Sequence, residues 1–124
     1  LLMNPNLSRK FNFIGEVKDI NSFYNSTDAL IHPSIYEGLP NVICEAMILG
    51  CCVIASNVCD HPLILNSKRG ILFDPKFPPS ISEAIESFNK LSIKRRNEMA
   101  INARRFSEEN FSLDKMVESF ENLF

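Results

Sequence analysis

The sequence of 124 residues lacks the features that would mark a membrane-spanning or secreted protein. Its longest uninterrupted apolar stretch runs from Ala46 to Ala55, whereas a helix needs about 20 apolar residues to cross a bilayer. No basic segment followed by an apolar run is present, so the sequence gives no indication of secretion. Because the chain begins with Leu1 rather than Met, we expect it to be a piece of a longer protein.

An excess of positive charge is also lacking. The chain has 13 Lys and Arg against 15 Asp and Glu, and its formal net charge is −2. Without a basic stripe there is no electrostatic reason to expect nucleic acid as a partner. The small basic clusters at residues 94–96 and 104–105 are interpreted as a solvated helix face, with contact to an anionic membrane as the alternative.

The cysteines and histidines lack the spacing of a metal site. The four cysteines form no Cys-x-x-Cys pair, and the two histidines, His32 and His61, do not complete a zinc pattern. We therefore predict no metal. Three of the four cysteines lie in apolar sequence, where a free thiol behaves as a small buried hydrophobic group. This usage fits a reducing, cytoplasmic compartment.

What the sequence does contain is an alternation of short apolar runs with helical patterns. The runs predict strands at 11–15, 29–32, 52–56 and 70–75, and helices over 19–28 and 40–49. Residues 80–83 fit a capping box that opens a helix with Ile81, Ala84, Ile85 and Phe88 at helical spacing. A second helix is predicted at 93–106 and a third after Ser112. Near-continuous apolar strands between helices indicate a parallel sheet covered on both faces. We predict one α/β domain over residues 1–124, a Rossmann-like doubly wound parallel sheet with a helical C-terminal tail.

The loop and helix after strand 29–32 carry the main functional signal. Open doubly wound sheets bind ligands beyond the carboxyl ends of their strands, where this loop lies. Gly38 allows the backbone to approach a ligand closely, and Pro40 suits the first turn of a helix. The free amides near Asn41 and Val42, together with the helix dipole, predict a site for phosphate.

Two carboxylates flank this predicted helix start, Glu37 before it and Glu45 within the helix. Glu45 shares a helical face with Asn41 and Val42, but apolar residues surround it in the sequence. A helix that is apolar on all sides is buried, and a buried carboxylate is costly unless it is paired. Glu45 therefore either pairs with a Lys or Arg elsewhere or binds vicinal hydroxyls of a ligand sugar.

The stretch from residue 11 to residue 56, with RGILFDP at 69–75 and the helical tail, resembles the retaining glycosyltransferases of the group 1 (family 4) class. These enzymes have the GT-B fold. The resemblance covers nearly the whole chain and places it in the later part of the C-terminal, donor-binding domain. It implies that the N-terminal acceptor domain and the first strands of the C-terminal domain lie outside this sequence, and that the piece alone is inactive.

The resemblance assigns roles to the residues of the loop and helix. By this likeness Glu37 and Glu45 are the two acidic residues of the family's Glu-x7-Glu motif. Glu37 would be the catalytic residue that faces the donor sugar and helps to position it, and Glu45 would hold the ribose hydroxyls of the nucleotide. The donor diphosphate would lie against the backbone of the segment that contains Gly38, Leu39, Asn41 and Val42. Ser34 and Pro40 would shape the loop.

The implied reaction is transfer of a sugar, with retention, from a UDP- or GDP-sugar donor to an acceptor hydroxyl in polysaccharide, lipopolysaccharide or glycolipid biosynthesis. The acceptor, a sugar or a lipid-linked sugar, would bind the N-terminal domain. The family pattern requires no metal or other cofactor, and no Asp-x-Asp occurs. Peripheral contact with the inner face of the membrane is expected of the full-length protein. A nucleotide-sugar epimerase of the same fold and a non-catalytic interaction module remain alternatives.

The chain departs from the family pattern after strand 52–56. Cys52 stands where the family usually has proline, and Asp60-His61-Pro62 stands where it often has a glycine-rich turn followed by Glu. We interpret His61 as a solvent-facing turn residue, with ligand contact as the alternative. His32, inside an apolar run, is interpreted as a core residue.

Overall fold

The computed structural model describes residue 6, residues 9–38 and residues 40–111. Strands and helices alternate along this part of the chain, and two helices follow the last strand. In chain order the elements are α1 (Ile20–Asn25), β1 (Ala29–His32), α2 (Asn41–Ile48), β2 (Cys52–Ser56), α3 (His61–Ile64), β3 (Ile71–Phe73), α4 (Pro79–Lys90) and α5 (Ile93–Phe111). The helix predicted after Ser112 lies outside the described residues.

The three strands form one parallel sheet in the order β1–β2–β3. Ala29 pairs with Cys52 at one end of the first ladder, and Ile54 pairs with Ile71 at the start of the second. The central strand β2 is buried at every residue, whereas β1 at the edge is only partly covered. The fully buried β2 therefore has the environment predicted for a strand of a parallel sheet, and β1 is less buried than its sequence indicates.

Helices cover the sheet on both faces. Successive residues of β2 point to opposite sides of the sheet, so they pack in two separate core clusters. Val53 and Ala55 pack in one core cluster with residues of α2 and α3. Cys52 and Ile54 pack in a second cluster with Phe88 of α4. The long helix α5 contributes to both clusters. The predicted α/β class and doubly wound parallel sheet are confirmed.

Two predictions about local structure are wrong. Residues 11–15 form no strand; Phe11, Phe13 and Ile14 are exposed, and no strand of the described chain pairs with them. Residues 80–83 form no capping box, because α4 begins at Pro79 and Ser80 lies inside its first turn. The Ser80 hydroxyl instead donates a hydrogen bond to the Asp74 carbonyl at 2.6 Å, which ties the helix to the end of β3.

The predicted burial of three of the four cysteines is confirmed. Cys44, Cys51 and Cys52 are buried free thiols, and Cys59 is exposed. Burial raises the pKa of the Cys51 thiol to about 11, so this group stays protonated and unreactive at neutral pH. Among the described residues, no helix combines the length and hydropathy needed to cross a bilayer.

Candidate functional site

The loop after β1 is fastened to the end of β2. The backbone N–H of Ser34 donates a hydrogen bond to Oγ of Ser56, 3.0 Å away, and Ser56 is fully buried. The hydroxyl of Ser34 donates to the carbonyl of Tyr36 at 3.1 Å. These bonds fix the path of the loop that carries Glu37.

The start of helix α2 leaves backbone donors available beside an open stretch of loop. A Cβ added at Gly38 would meet no atom within 4 Å, and Leu39 lies outside the described residues. Pro40 is the residue immediately before the helix and provides no side-chain cap. The N–H of Cys44 makes a helical bond to the Pro40 carbonyl at 3.1 Å, so the amides of Asn41 and Val42 belong to the first turn, which lacks intrahelical acceptors.

Glu45 is exposed, so our expectation of a buried carboxylate is wrong. Helix α2 buries the side formed by Ile43, Cys44, Ala46 and Met47. Its other side exposes four residues, Asn41, Val42, Glu45 and Ile48. The helical repeat places apolar Val42 and Ile48 on the same open face as the carboxylate, which a count of apolar neighbours does not reveal.

No ion pair or hydrogen bond involves the Glu45 carboxylate in the described part of the chain, so the alternative of an internal cation partner is not supported. Its charge acts on the neighbouring core: burial raises the pKa of Tyr24, and the negative charge of Glu45 raises it further. The carboxylate is therefore free to bind a ligand on the face that carries the first-turn positions Asn41 and Val42.

Glu37 is hydrogen-bonded to one histidine and lies close to a second. Oε2 of Glu37 lies 2.5 Å from Nε2 of His32 and 3.5 Å from Nε2 of His61. The hydrogen bond from His32 lowers the pKa of the Glu37 carboxyl, and the two imidazoles lower it further when they carry charge. The carboxyl group of Glu37 is therefore kept ionised and in one orientation at neutral pH.

Both histidines differ from our sequence interpretation. His61 is fully buried rather than facing solvent, since it opens helix α3 and turns its ring beneath the loop after β1. Its Nδ1 bonds to the Ser56 carbonyl at 2.7 Å. His32 is not a core residue either; it ends β1 with its side chain 20% exposed and bonded to Glu37.

The topology explains why these three residues meet. His32 is the last residue of β1, and His61 follows the end of β2, its direct neighbour. The carboxyl ends of neighbouring parallel strands share one edge of a sheet, so residues far apart in sequence converge there. The positions of both histidines at predicted strand ends were the signal that could have grouped them with Glu37.

An open cleft of about 560 Å³ lies at the same edge. It is lined by residues from the loops after all three strands: Ile35 after β1, residues 57–59 after β2, and residues 74–76 after β3. This is where an open α/β sheet binds its ligands. The cleft, the loop of Glu37 and the start of α2 thus lie along one edge of the molecule.

Comparison with known proteins identifies the family of this chain. The family model described as "Glycosyl transferases group 1" matches residues 2–106. The chain belongs to this family. Its parallel sheet and helices are those of the GT-B fold of glycosyltransferases.

Among curated group 1 relatives, the chain is 31% identical over 126 residues to the capsular polysaccharide biosynthesis glycosyltransferase CapM of Staphylococcus aureus. That match takes in 100% of this chain and 32% of CapM. The chain therefore spans about a third of the length of this relative.

Two solved glycosyltransferase structures have the same fold as this chain. A glycosyltransferase from Rickettsia africae superposes with a TM-score of 0.86 at 24% identity, over 95% of this chain and 32% of that one. The C-terminal domain of the group 1 family protein LpcC from Francisella tularensis gives a TM-score of 0.69 at 26% identity, over 83% of this chain and 53% of that one.

Proposed function

We propose that this chain is the nucleotide-sugar-binding part of a retaining glycosyltransferase. The observation that carries the proposal is the open face of α2. The first-turn positions Asn41 and Val42 lie there together with the carboxylate of Glu45, which has no ion pair within the described residues. A helix N-terminus binds phosphate through its free amides and its dipole. A carboxylate one turn further along can accept hydrogen bonds from sugar hydroxyls.

The proposed roles follow from this geometry and from membership of the family. The amides of Asn41 and Val42, beside Gly38 and Leu39, bind the donor diphosphate. Glu45 accepts hydrogen bonds from the ribose hydroxyls, and Glu37 orients the donor sugar. The leaving diphosphate takes the proton of the acceptor hydroxyl, so the main task of the protein is to stabilise the charge on the leaving group. We propose that this chemistry needs no metal or other cofactor.

The rest of the enzyme supplies what this chain does not contain. We place residues 1–124 in the later part of the C-terminal domain, a proposal supported by the match to the C-terminal domain of LpcC. An N-terminal domain would bind the acceptor, a sugar or a lipid-linked sugar. The relationship to CapM supports a role in surface polysaccharide synthesis. We propose a UDP- or GDP-sugar donor and a cytoplasmic enzyme that contacts the inner face of the membrane.

The reaction is tested by product analysis on the complete protein. The protein is incubated with a panel of labelled UDP- and GDP-sugars and with lipid-linked and free sugar acceptors. We expect the unchanged sugar on an acceptor, joined with the anomeric configuration of the donor. Inverted product would contradict the retaining mechanism, and an isomerised free nucleotide sugar would indicate an epimerase.

The role of Glu45 is tested by Glu45→Gln in the complete protein. Hydrogen bonds to a charged group contribute about 1.5 to 3 kcal/mol, so we expect the Kd for the nucleotide to rise about 10- to 100-fold. Because Glu45 is exposed and has no partner in the described chain, the thermal stability of the apo protein should not change. Glu86→Gln, an exposed position on α4, is the matched control. An unchanged nucleotide affinity would support a non-catalytic module instead.

A further inference from the structure

The buried ring of His61 has a defined orientation. Nδ1 lies 2.7 Å from the carbonyl oxygen of Ser56. A carbonyl can only accept a hydrogen bond, so Nδ1 carries a proton and donates it. In the neutral imidazole the other nitrogen, Nε2, is then unprotonated and presents a lone pair.

That lone pair has no hydrogen-bond partner in the described part of the chain. Nε2 of His61 is buried without a hydrogen bond, and it faces Oε2 of Glu37 at 3.5 Å. The lone pair of His61 Nε2 and the carboxylate oxygen of Glu37 therefore face each other without a hydrogen between them. The same carboxylate oxygen lies beside Nε2 of His32. A cation among the three atoms would satisfy all of them.

We propose that His32, Glu37 and His61 form a binding site for a zinc-type divalent cation. Their ligand atoms all lie within 4.8 Å of one another. Tetrahedral zinc with bonds near 2.1 Å separates its ligand atoms by about 3.4 Å, close to the 3.5 Å between His61 Nε2 and Glu37 Oε2. Nε2 of His32 and Oε2 of Glu37, which are hydrogen-bonded at 2.5 Å, would have to move apart to reach that spacing. The bond from His61 Nδ1 to a backbone carbonyl is the outer-shell contact that commonly orients a metal-bound imidazole.

The donor set selects the class of cation. Two imidazoles and one carboxylate suit Zn²⁺, Co²⁺ or Ni²⁺, whereas Mg²⁺ and Ca²⁺ prefer oxygen ligands alone. Three protein ligands leave a fourth position, and the side chains of His32 and Glu37 are 20% and 28% exposed, which leaves a path from solvent. Binding would displace the proton that His32 shares with Glu37.

A bound cation would also affect the proposed transferase, because it would occupy the carboxylate of Glu37. This consequence rests on the proposed function, whereas the site itself does not. Zinc and the donor sugar should then compete, so Zn²⁺ would raise the apparent KM for the donor. Zinc binding without such competition would contradict the sugar contact of Glu37.

The site is tested by titrating the complete protein with Zn²⁺ against a chromophoric chelator and with Co²⁺ by absorption spectroscopy. A Cys59→Ser background removes the exposed thiol as a competing ligand. We expect one Zn²⁺ per chain and a Co²⁺ spectrum of nitrogen and oxygen ligation. Glu37→Gln and His32→Asn, both at partly exposed positions, should each weaken Zn²⁺ binding at least about tenfold. Glu86→Gln on α4 should not.

Three results would overturn the proposal. They are the absence of stoichiometric Zn²⁺ binding, equal Zn²⁺ affinity in the parent protein and both ligand variants, and a Co²⁺ spectrum with a thiolate charge-transfer band. Loss of binding in a variant supports the site only if its circular dichroism spectrum and melting temperature match those of the parent. His32→Gln is the second variant at that position if His32→Asn fails to fold.

Discussion

Gly70→Ala tests how the sheet edge is packed. Gly70 is buried immediately before β3. A Cβ at this position would lie 2.8 Å from Cδ2 of Leu65 and 2.8 Å from the carbonyl oxygen of Val53. Ordinary contacts of a Cβ begin at 3.4 Å, so both neighbours would have to move by more than half an ångström.

Neither neighbour can move easily. Leu65 is fully buried, so its side chain has no empty space to enter in a close-packed interior. The Val53 carbonyl belongs to the central strand, which is paired on both sides. Overpacking of this kind costs about 1 to 3 kcal/mol, and two simultaneous clashes place Gly70→Ala at about 2 to 3 kcal/mol. The melting temperature should fall by about 8 to 12 °C.

The assay is urea unfolding of the purified chain, followed by far-UV circular dichroism. We expect a lower midpoint with an unchanged dependence on denaturant, which indicates a change in stability alone. Gly38→Ala is the matched control, because a Cβ at Gly38 meets nothing within 4 Å; its stability should change by less than about 1 kcal/mol. If the two variants had the same midpoint, the packing of Gly70 described above would be wrong.

Two further predictions concern ionisable groups. At pH 8 a thiol reagent should modify the exposed Cys59 rapidly and the three buried cysteines only on unfolding, since burial raises the pKa of Cys51 to about 11. Cys59→Ser should abolish the fast phase of the reaction. Rapid reaction of more than one thiol in the folded protein would refute this prediction. The hydrogen bond from His32 lowers the pKa of Glu37, so a carboxyl NMR titration should give a value below about 4.3 in the parent and a higher value in His32→Gln. Because its pKa is lowered, ionised Glu37 stabilises the fold at pH values above the pKa of the unfolded state, and this stabilisation is lost as the pH falls through the pKa of the folded state. An equal Glu37 pKa in the parent and in His32→Gln would contradict the assigned effect of the His32 hydrogen bond.

The strands of the sheet could be predicted from their short apolar runs. Residues 29–32 and 52–56 match β1 and β2 at both ends, although β1 is only partly buried and β2 is buried throughout. Residues 11–15 have a similar composition but form no strand, because a strand also needs a partner for its backbone groups. An apolar composition favours a strand, but the strand forms only where a neighbouring strand pairs with it.

The candidate site was predicted in part. The loop after β1, the start of α2 at Asn41 and the shared face of Asn41, Val42 and Glu45 follow from local sequence, since helical spacing alone determines that face. The exposure of Glu45 does not follow from it, because exposure depends on which side of α2 packs against β2 and α5. The grouping of His32 and His61 around Glu37 was missed for the same reason.

By itself the sequence determined the class of fold, the position of helix α2 and the burial of three thiols, because each depends on the periodicity or composition of a short segment. Only the tertiary structure decided that Glu45 faces outward and that a buried imidazole stands against Glu37. The first depends on which side of α2 packs against β2 and α5. The second depends on the parallel pairing of β1 with β2, which brings loops distant along the chain to one edge of the sheet. A pattern within a short segment cannot show which distant loops will meet at that edge.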